Sequence, residues 1–255
     1  MKKIGILGCG WLGFSLGKEL IALGFEVAGT SRSYAEKKKF KQANIEHVAF
    51  QLGEKIAERF FEDISLLIIS LPITNKISEE QQDALLNSIK HSAKNNLQII
   101  FTSSISVYID NQKEIDETSG KINKHSPNYR FEQKLLKAFT NNVTILRLGG
   151  LIGEDRHPIF HLAGKSDLAN GTAPVNLVHR SDVISMIKSI IGLKKFGHIY
   201  NCVYPYHPKK KDYYYQKSIQ FQLNAPNYND FEECEKIVVS KNAQQFLNFD
   251  FQFPI

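Results

Sequence analysis

Gly8-Cys9-Gly10-Trp11-Leu12-Gly13 reads G-x-G-x-x-G. Glycines at this spacing, set between a strand and a helix, build a cradle for a pyrophosphate. Gly8 permits a tight turn, Gly10 lets the backbone approach phosphate oxygens, and Gly13 lets the helix pack closely on the strand. The helix N-terminus then offers N–H groups and a partial positive charge, with Cys9, Trp11 and Leu12 supplying the intervening backbone. The ligand implied is a dinucleotide, whose second ribose is read about 20 residues further on. An Asp or Glu there would hold the 2′-hydroxyl of NAD. This chain has Gly29-Thr30-Ser31-Arg32-Ser33, and the first carboxylate after them is Glu36. Arg32 can contact a 2′-phosphate in bidentate fashion, and Thr30, Ser31 and Ser33 add hydroxyl donors. NADP(H) is therefore the expected cofactor, with NAD(H) second to it.

The elements that would position these residues follow from periodicity. Ile4 to Leu7 is a short apolar strand, and the helix after it carries Leu12, Leu16, Leu20 and Leu23 on one stripe. Further strands are predicted at Phe25–Gly29, Val48–Phe50, Leu66–Leu71, Leu97–Phe101 and Val143–Leu148. The continuous apolar run from Leu66 suits a strand buried on both faces. Ser78-Glu79-Glu80-Gln81 forms a capping box that opens another helix, and Asn128–Phe139 reads as a helix too. Strand alternating with helix predicts an α/β fold, a Rossmann-type doubly wound parallel sheet. The division expected is a Rossmann domain over 1–150 and a mixed segment over 151–255. The second segment would complete the sheet and form a small C-terminal substrate lobe over the sheet's carboxyl edge. It contains a helix at Ser181–Ile191, a strand at His198–Val203, a helical stretch around Tyr213-Tyr214-Tyr215, and an aromatic tail, Phe246–Ile255, without strong helix signals.

Composition removes other classes. The chain has 255 residues, 42% hydrophobic and 23% charged, which is the balance of a globular protein and neither disordered nor fibrous. No run approaches about 20 consecutive apolar residues, and the glycine-rich start is too short for a signal core. Cys9, Cys202 and Cys234 are an odd count without metal spacing, so neither a disulfide framework nor a metal site is expected, and a reducing cytoplasm is the default. The net charge of +6 is moderate. Lys37–Lys39 and Lys209–Lys211 read as solvated faces, because no nucleic-acid-binding motif accompanies them.

The fifth strand runs into Thr102-Ser103-Ser104-Ile105-Ser106-Val107-Tyr108. With this strip the chain resembles the extended short-chain dehydrogenase/reductase family of nucleotide-sugar epimerases and dehydratases, which carries Ser-Ser-x-x-Val-Tyr after this strand. Arg147-Leu148-Gly149-Gly150 and Val178-His179-Arg180-Ser181-Asp182-Val183 are similar to later segments of the same family. The glycine loop and Gly153-Glu154-Asp155-Arg156-His157-Pro158 resemble an atypical, YeeZ-like branch. The resemblance implies that Ser104 orients the substrate and that Tyr129 donates the proton. It also implies a lysine four residues after that tyrosine, which binds the nicotinamide ribose and lowers the tyrosine pKa. Here the position holds Gln133. A glutamine can hydrogen-bond a ribose but cannot stabilise a phenolate by charge. Lys134 lies about 140° round the helix from Tyr129, and Arg130 about 100°, so neither reproduces the lysine's geometry. Tyr34-to-Lys38 and Tyr213-to-Lys217 repeat the spacing away from this strand and are read as coincidences. His157, His161 and His179, with Arg156 and Arg180, fall where the substrate is expected. They read as ordinary loop residues, with a replacement acid or an anion contact as the sharper reading.

These residues support an NADP(H)-dependent oxidoreductase or epimerase-like enzyme acting on a small carbonyl or hydroxyl substrate. Gln133 motivates an alternative, a non-catalytic dinucleotide-binding or redox-sensing protein. A dehydrogenase of the 6-phosphogluconate type shares the glycine loop. That type expects a large helical second domain, against which the Ser104 strip and the short remaining chain argue. A small-molecule partner is expected, with no nucleic acid and no membrane. A homodimer is common in the family.

Overall fold

The computed structural model describes residues 3–92, 96–110, 113–118, 121–229 and 235–255, so Cys234 lies outside the described residues. In chain order the elements are β1 (Lys3–Leu7), α1 (Trp11–Ala22), β2 (Glu26–Ser31), α2 (Lys37–Gln42), β3 (Glu46–Ala49), β4 (Ile64–Ile69), α3 (Glu79–Ser92), β5 (Gln98–Ser104) and β6 (Glu114–Ile115). There follow α4 (Pro127–Phe139), β7 (Val143–Leu148), β8 (Gly150–Ile152), α5 (Ile159–Leu162), β9 (Leu177–His179), α6 (Arg180–Leu193), β10 (Ile199–Cys202), α7 (Lys210–Gln220), β11 (Ile237–Val238) and α8 (Lys241–Leu247).

Seven strands form one sheet in the order β10-β7-β5-β4-β1-β2-β3, the doubly wound arrangement. β1 pairs in parallel with β2 on one side and with β4 on the other, so the strand order reverses between β1 and β4. β4 and β5 are also parallel, and the ends of β1, β2, β4 and β5 therefore open on one edge. The crevice at such a reversal is where open α/β sheets bind ligands. The continuous apolar strands behave as both-face-buried strands should: Ile4, Ile6 and Leu7 of β1, Leu66 to Ile69 of β4 and Ile99 to Phe101 of β5 are all buried. The predicted capping box is present. The Ser78 N–H donates to Gln81 Oε1 at 3.0 Å, and the Gln81 N–H donates to Ser78 Oγ at 3.3 Å.

Three sequence expectations are corrected. α1 ends at Ala22, so Leu23 is its C-cap and is 55% exposed rather than part of the apolar stripe. β2 runs to Ser31, two residues beyond the predicted end, because Thr30 and Ser31 pair with Val48 and Ala49 of β3. The tail also contains more helix than its aromatic composition suggested, since Phe246 and Leu247 close α8.

By packing, the chain divides into a unit of residues 1–104, 124–146 and 187–199 and a unit of 105–123, 147–186 and 200–255. Relative to a division at residue 150, the segment after β5 goes to the second unit and the end of α6 goes to the first. The first unit holds β1 to β5 with α1 to α4. The second holds two small parallel pairs, β6 with β11 and β8 with β9. Its buried polar residues are paired. Tyr108 donates its hydroxyl to Asn201 Oδ1 at 2.8 Å and accepts from Arg147 Nη1 at 2.9 Å. The Asp182 carboxylate accepts the N–H groups of Gln252 at 2.9 Å and Phe253 at 3.1 Å, which fixes the aromatic tail.

Candidate functional site

The glycine turn is built from β1, β2 and α1. Gly8 has φ of +87°, which glycine adopts without strain. Its N–H donates to Thr30 Oγ1 at 3.0 Å, and the Cys9 N–H donates to the Thr30 carbonyl at 2.8 Å. These bonds commit the first two motif N–H groups to β2. Thr30 is 1% exposed, so its hydroxyl shapes the turn from beneath. The Cys9 side chain is buried too, and burial pushes its thiol up to about 12, leaving it protonated and unreactive at neutral pH. At Gly13 an added Cβ would stand 2.5 Å from the Gly8 carbonyl oxygen, which accounts for the third glycine by packing alone.

Gly10 differs from both. An added Cβ there would meet nothing within 4 Å, and the residue is exposed. It is the N-cap of α1, so no side chain caps the helix. The first intrahelical bond runs from the Phe14 N–H to the Gly10 carbonyl at 2.8 Å. Trp11, Leu12 and Gly13 form the first turn of a helix whose N-cap, Gly10, provides no side-chain cap, and a helix N-terminus of this kind is suited to receive an anion. No acidic residue lies in that turn.

In front of this turn lies a cleft of about 520 Å³ within the first unit. Gly8, Cys9 and Gly10 line one wall, and Thr30, Ser31, Arg32 and Ser33 line another. The structure thus brings together most of the residues that the sequence singled out for a dinucleotide. Phe50, Leu52, Leu71 and Ile77 add an apolar face, large enough for a flat ring system. Glu36 lies on the same lining, 3.9 Å from Lys39. Ser33 Oγ accepts from the Ala35 N–H at 3.1 Å, while Arg32 is exposed.

Ser104, Tyr129 and Gln133 are not lining residues of this cleft. Ser104 ends β5, on the sheet edge where the glycine turn also opens, and is half-buried. Tyr129 is half-buried in the first turn of α4, and Gln133 is exposed one turn later. Both cations considered as substitutes for the missing lysine are engaged by α3. Lys134 Nζ lies 2.7 Å from Asp83 and 3.7 Å from Glu79, and Arg130 Nη1 lies 3.3 Å from Glu79.

One pair escaped the sequence reading. Ser103 Oγ donates to Glu132 Oε1 at 2.6 Å, and both residues are buried, Glu132 completely. The bond ties the end of β5 to α4 between Tyr129 and Gln133, next to the edge-on contact of Phe101 and Phe131 at 5.1 Å. A carboxylate on the buried stripe of Phe131 and Leu135 was the available signal.

His157 and His179, in the second unit, are engaged in packing and hydrogen bonds. His157 accepts the Ile159 N–H on Nδ1 at 3.1 Å, which leaves its Nε2–H to donate to the Tyr213 hydroxyl at 2.9 Å. Burial lowers its pKa to about 4, so it is neutral and fully engaged. His179 stacks on Phe253 at 5.1 Å, and Arg180 pairs with Glu154 at 2.6 Å. Tyr213 and Lys217 are a packing pair, with the ammonium 5.4 Å from the ring centroid. Among the described residues no group of three His, Cys, Asp or Glu side chains could hold a metal, and no helix is long and apolar enough to cross a membrane.

Comparison with known proteins agrees with this construction. Protein YeeZ of Escherichia coli (strain K12) is 31% identical over 270 residues, an alignment covering 100% of this chain and 97% of that protein. The chain belongs to the YeeZ family. Residues 3–122 of this YeeZ relative also match the family model for the NAD binding domain of 6-phosphogluconate dehydrogenase. That match stops before β7 and β10, which extend the sheet. Among solved structures, dTDP-glucose 4,6-dehydratase of Bacillus anthracis in complex with NAD superposes with a TM-score of 0.80 at 13% identity, covering 99% of this chain and 92% of that one. A conserved protein of unknown function from Silicibacter pomeroyi gives 0.79 at 17%, covering 100% and 95%. UDP-glucuronic acid 4-epimerase of Bacillus cereus in complex with NAD gives 0.77 at 15%, covering 99% and 94%. At these identities the likeness is one of fold: the chain shares the doubly wound α/β fold of these structures.

Proposed function

We propose that the chain binds a nicotinamide dinucleotide in the Gly8–Gly13 cleft, prefers NADP(H) to NAD(H), and acts as an oxidoreductase or epimerase-like enzyme on a small carbonyl or hydroxyl substrate. The observation that carries this reading is the open position at Gly10, on an uncapped first turn of α1, in a cleft walled by Ser31, Arg32 and Ser33. The residues fit the cofactor. Gly10 to Gly13 would receive the pyrophosphate, Arg32 with the serine hydroxyls a 2′-phosphate, and the Phe50–Leu52 face the adenine. Neighbours of the same fold are described in complex with NAD and as dehydratases or epimerases of nucleotide sugars, which belong to the proposed substrate class.

A bound nicotinamide supplies hydride exchange with a substrate carbon. The chain's own part is orientation and proton handling. In this reading Ser104 donates a hydrogen bond to the carbonyl or alkoxide oxygen, Tyr129 moves the proton at its hydroxyl, and Gln133 bonds the nicotinamide ribose. The Ser103–Glu132 bond keeps the Ser104 strand end in register with the Tyr129 helix. The 1–150 segment, on this reading, carries the cofactor site, and 151–255 the substrate lobe.

One observation favours a second reading, a non-catalytic dinucleotide-binding or redox-sensing protein. Lys134 and Arg130 are paired with α3, and Gln133 carries no charge. The deciding experiment follows Trp11 fluorescence, at the first position of α1, through titrations with NADPH, NADH, NADP⁺ and NAD⁺. Micromolar NADPH affinity that weakens selectively in Arg32→Ala supports the cofactor assignment. Equal affinities that ignore Arg32→Ala refute the NADP preference, and no response to any dinucleotide refutes the function. Turnover lost in Ser104→Ala and Tyr129→Phe with binding retained separates the enzyme from the sensor.

A further inference from the structure

We infer that His47, outside the cleft, sets cofactor selectivity by holding the Ser31 hydroxyl as a hydrogen-bond donor toward a 2′-phosphate. The inference rests on the proposed NADP(H) preference and assigns a positioning residue to it.

In the β2–β3 ladder His47 lies opposite Gly29. Side chains alternate along a strand, so His47 shares a sheet face with Gly29 and with Ser31, two residues further on. That neighbourhood is filled. The Phe40 ring is 3.0 Å from where a Gly29 Cβ would stand and packs edge-on against the imidazole with centroids 4.7 Å apart. Tyr34 covers another side of the imidazole, edge-on at 6.0 Å. The ring is therefore fixed in orientation, with Nε2 2.8 Å from Ser31 Oγ.

The direction of that bond follows from the serine. Ser31 Oγ donates its single proton to the Ser33 carbonyl at 3.2 Å. It must then accept from His47, which sets the tautomer as Nε2–H and leaves Nδ1 bare. Nδ1 is buried without a hydrogen-bond partner, which suits an unprotonated nitrogen better than an N–H. Burial, the main influence on this ring, also favours its neutral form. A serine with one of its two lone pairs occupied in this way has its proton directed away from the imidazole, where it can be presented as a donor. At 3.2 Å the bond to Ser33 is long, so an incoming acceptor can capture the proton by a hydroxyl rotation. A phosphate offers only acceptors. A ribose 2′-hydroxyl needs both a donor and an acceptor to be satisfied. The locked serine, beside Arg32 on the cleft wall, therefore favours the phosphorylated ribose on hydrogen-bond grounds as well as by charge.

The test measures NADPH and NADH affinity by calorimetry in the wild type and in His47→Phe, His47→Gln and Ser31→Ala, with melting temperatures to confirm folding. Phenylalanine keeps the ring packing and removes the donor, whereas glutamine restores an N–H at similar reach. The expected result is an NADPH affinity about tenfold weaker in His47→Phe, with NADH changed less than about twofold and most of the loss recovered in His47→Gln. The double variant Ser31→Ala/His47→Phe should lose no more than Ser31→Ala alone. The inference is overturned if His47→Phe weakens both dinucleotides equally, if it weakens neither, or if the two substitutions add. A wild type indifferent to the 2′-phosphate overturns it together with the NADP preference. That failure is recognised in the wild type and Arg32→Ala, before any His47 variant is consulted.

Discussion

Gly10 and Gly13 belong to one motif, yet alanine at each should fail in a different way. At Gly13 the new Cβ would sit 2.5 Å from the Gly8 carbonyl oxygen and 3.1 Å from Ile6 Cγ2. The nearer atom is backbone, so the helix must move off β1. Overpacking of that kind costs about 2–3 kcal/mol, and the better helix propensity of alanine returns about 1. A net loss of about 1–2 kcal/mol lowers the melting temperature by about 3–6 °C in a chain of this size. At Gly10 the new Cβ meets nothing within 4 Å and φ is −82°, so the protein itself tolerates it. The only cost is the poorer N-cap, at most about 1 kcal/mol. The methyl group would occupy the space through which a pyrophosphate must approach the first turn of α1. Losing one charge-assisted bond of about 1.5–3 kcal/mol weakens binding about 10- to 100-fold. Paired thermal melts and Trp11 fluorescence titrations with NADPH check both. Gly10→Ala should melt near the wild type and bind poorly. If it binds NADPH as tightly as the wild type, the phosphates do not sit at this turn and the cleft assignment fails.

Further outcomes follow from the same geometry. Glu36→Gln should tighten NADPH binding about two- to fivefold with little effect on NADH, because a carboxylate on the cleft wall repels the 2′-phosphate; isothermal titration at two salt concentrations checks it, the gain shrinking at high salt. Gln133→Lys should fold as the wild type, since the residue is exposed, and should raise NADPH turnover with nucleotide sugars by restoring a cation one turn from Tyr129; unchanged turnover in a variant that still binds NADPH would count against Tyr129 as the proton donor. His157 is buried neutral, with its pKa lowered from 6.5 to about 4, so the unfolded chain takes up a proton that the native chain refuses. Its contribution to stability is present above pH 6.5 and is lost as pH falls toward 4, by an amount on the order of 3 kcal/mol. His157→Gln should therefore melt lower than the wild type at pH 7.5 and show a shallower decline between pH 6.5 and 4.5.

The sequence made the frame legible wherever the signal was local. The strand-to-helix turn, the buried run of β4 and the Ser78–Gln81 box depend on residues within a few positions of one another, and each is present in the structure, with β4 set two residues earlier than expected, at Ile64–Ile69. The end of β2 was harder to see, because Thr30 and Ser31 extend the strand only through pairing with β3, a partner distant in sequence. Leu23 continued the heptad-like stripe on paper, but α1 stops one residue earlier and leaves it to solvent. The candidate site divides in the same way. Gly8 to Gly13 and Arg32 carry their meaning in type and spacing. Ser103, Glu132 and His47 act through partners 16 to 29 residues away, and nothing in their immediate neighbours names those partners. Glu132 left one trace, a carboxylate on an apolar helix stripe, which in a buried position must have a polar partner.

That division bears on the choice between enzyme and sensor. The cleft is assembled from backbone amides, Thr30 beneath the turn and the β2 end, and none of these depends on Tyr129 or on position 133. Dinucleotide binding can therefore persist whatever α4 carries. The features of α4 itself point inward and outward at once. Glu132 is committed to Ser103, which fixes the strand end that presents Ser104, and Lys134 and Arg130 are committed to Asp83 and Glu79 of α3. A buried carboxylate bonded at 2.6 Å is costly to maintain if nothing requires the β5 end to be held against α4. A protein that only sensed cofactor occupancy would be served by an apolar contact there, of the kind Phe101 and Phe131 already make. The polar tie beside Ser104 thus favours a positioned reaction site, with the uncharged Gln133 one turn beyond Tyr129 on the same helix.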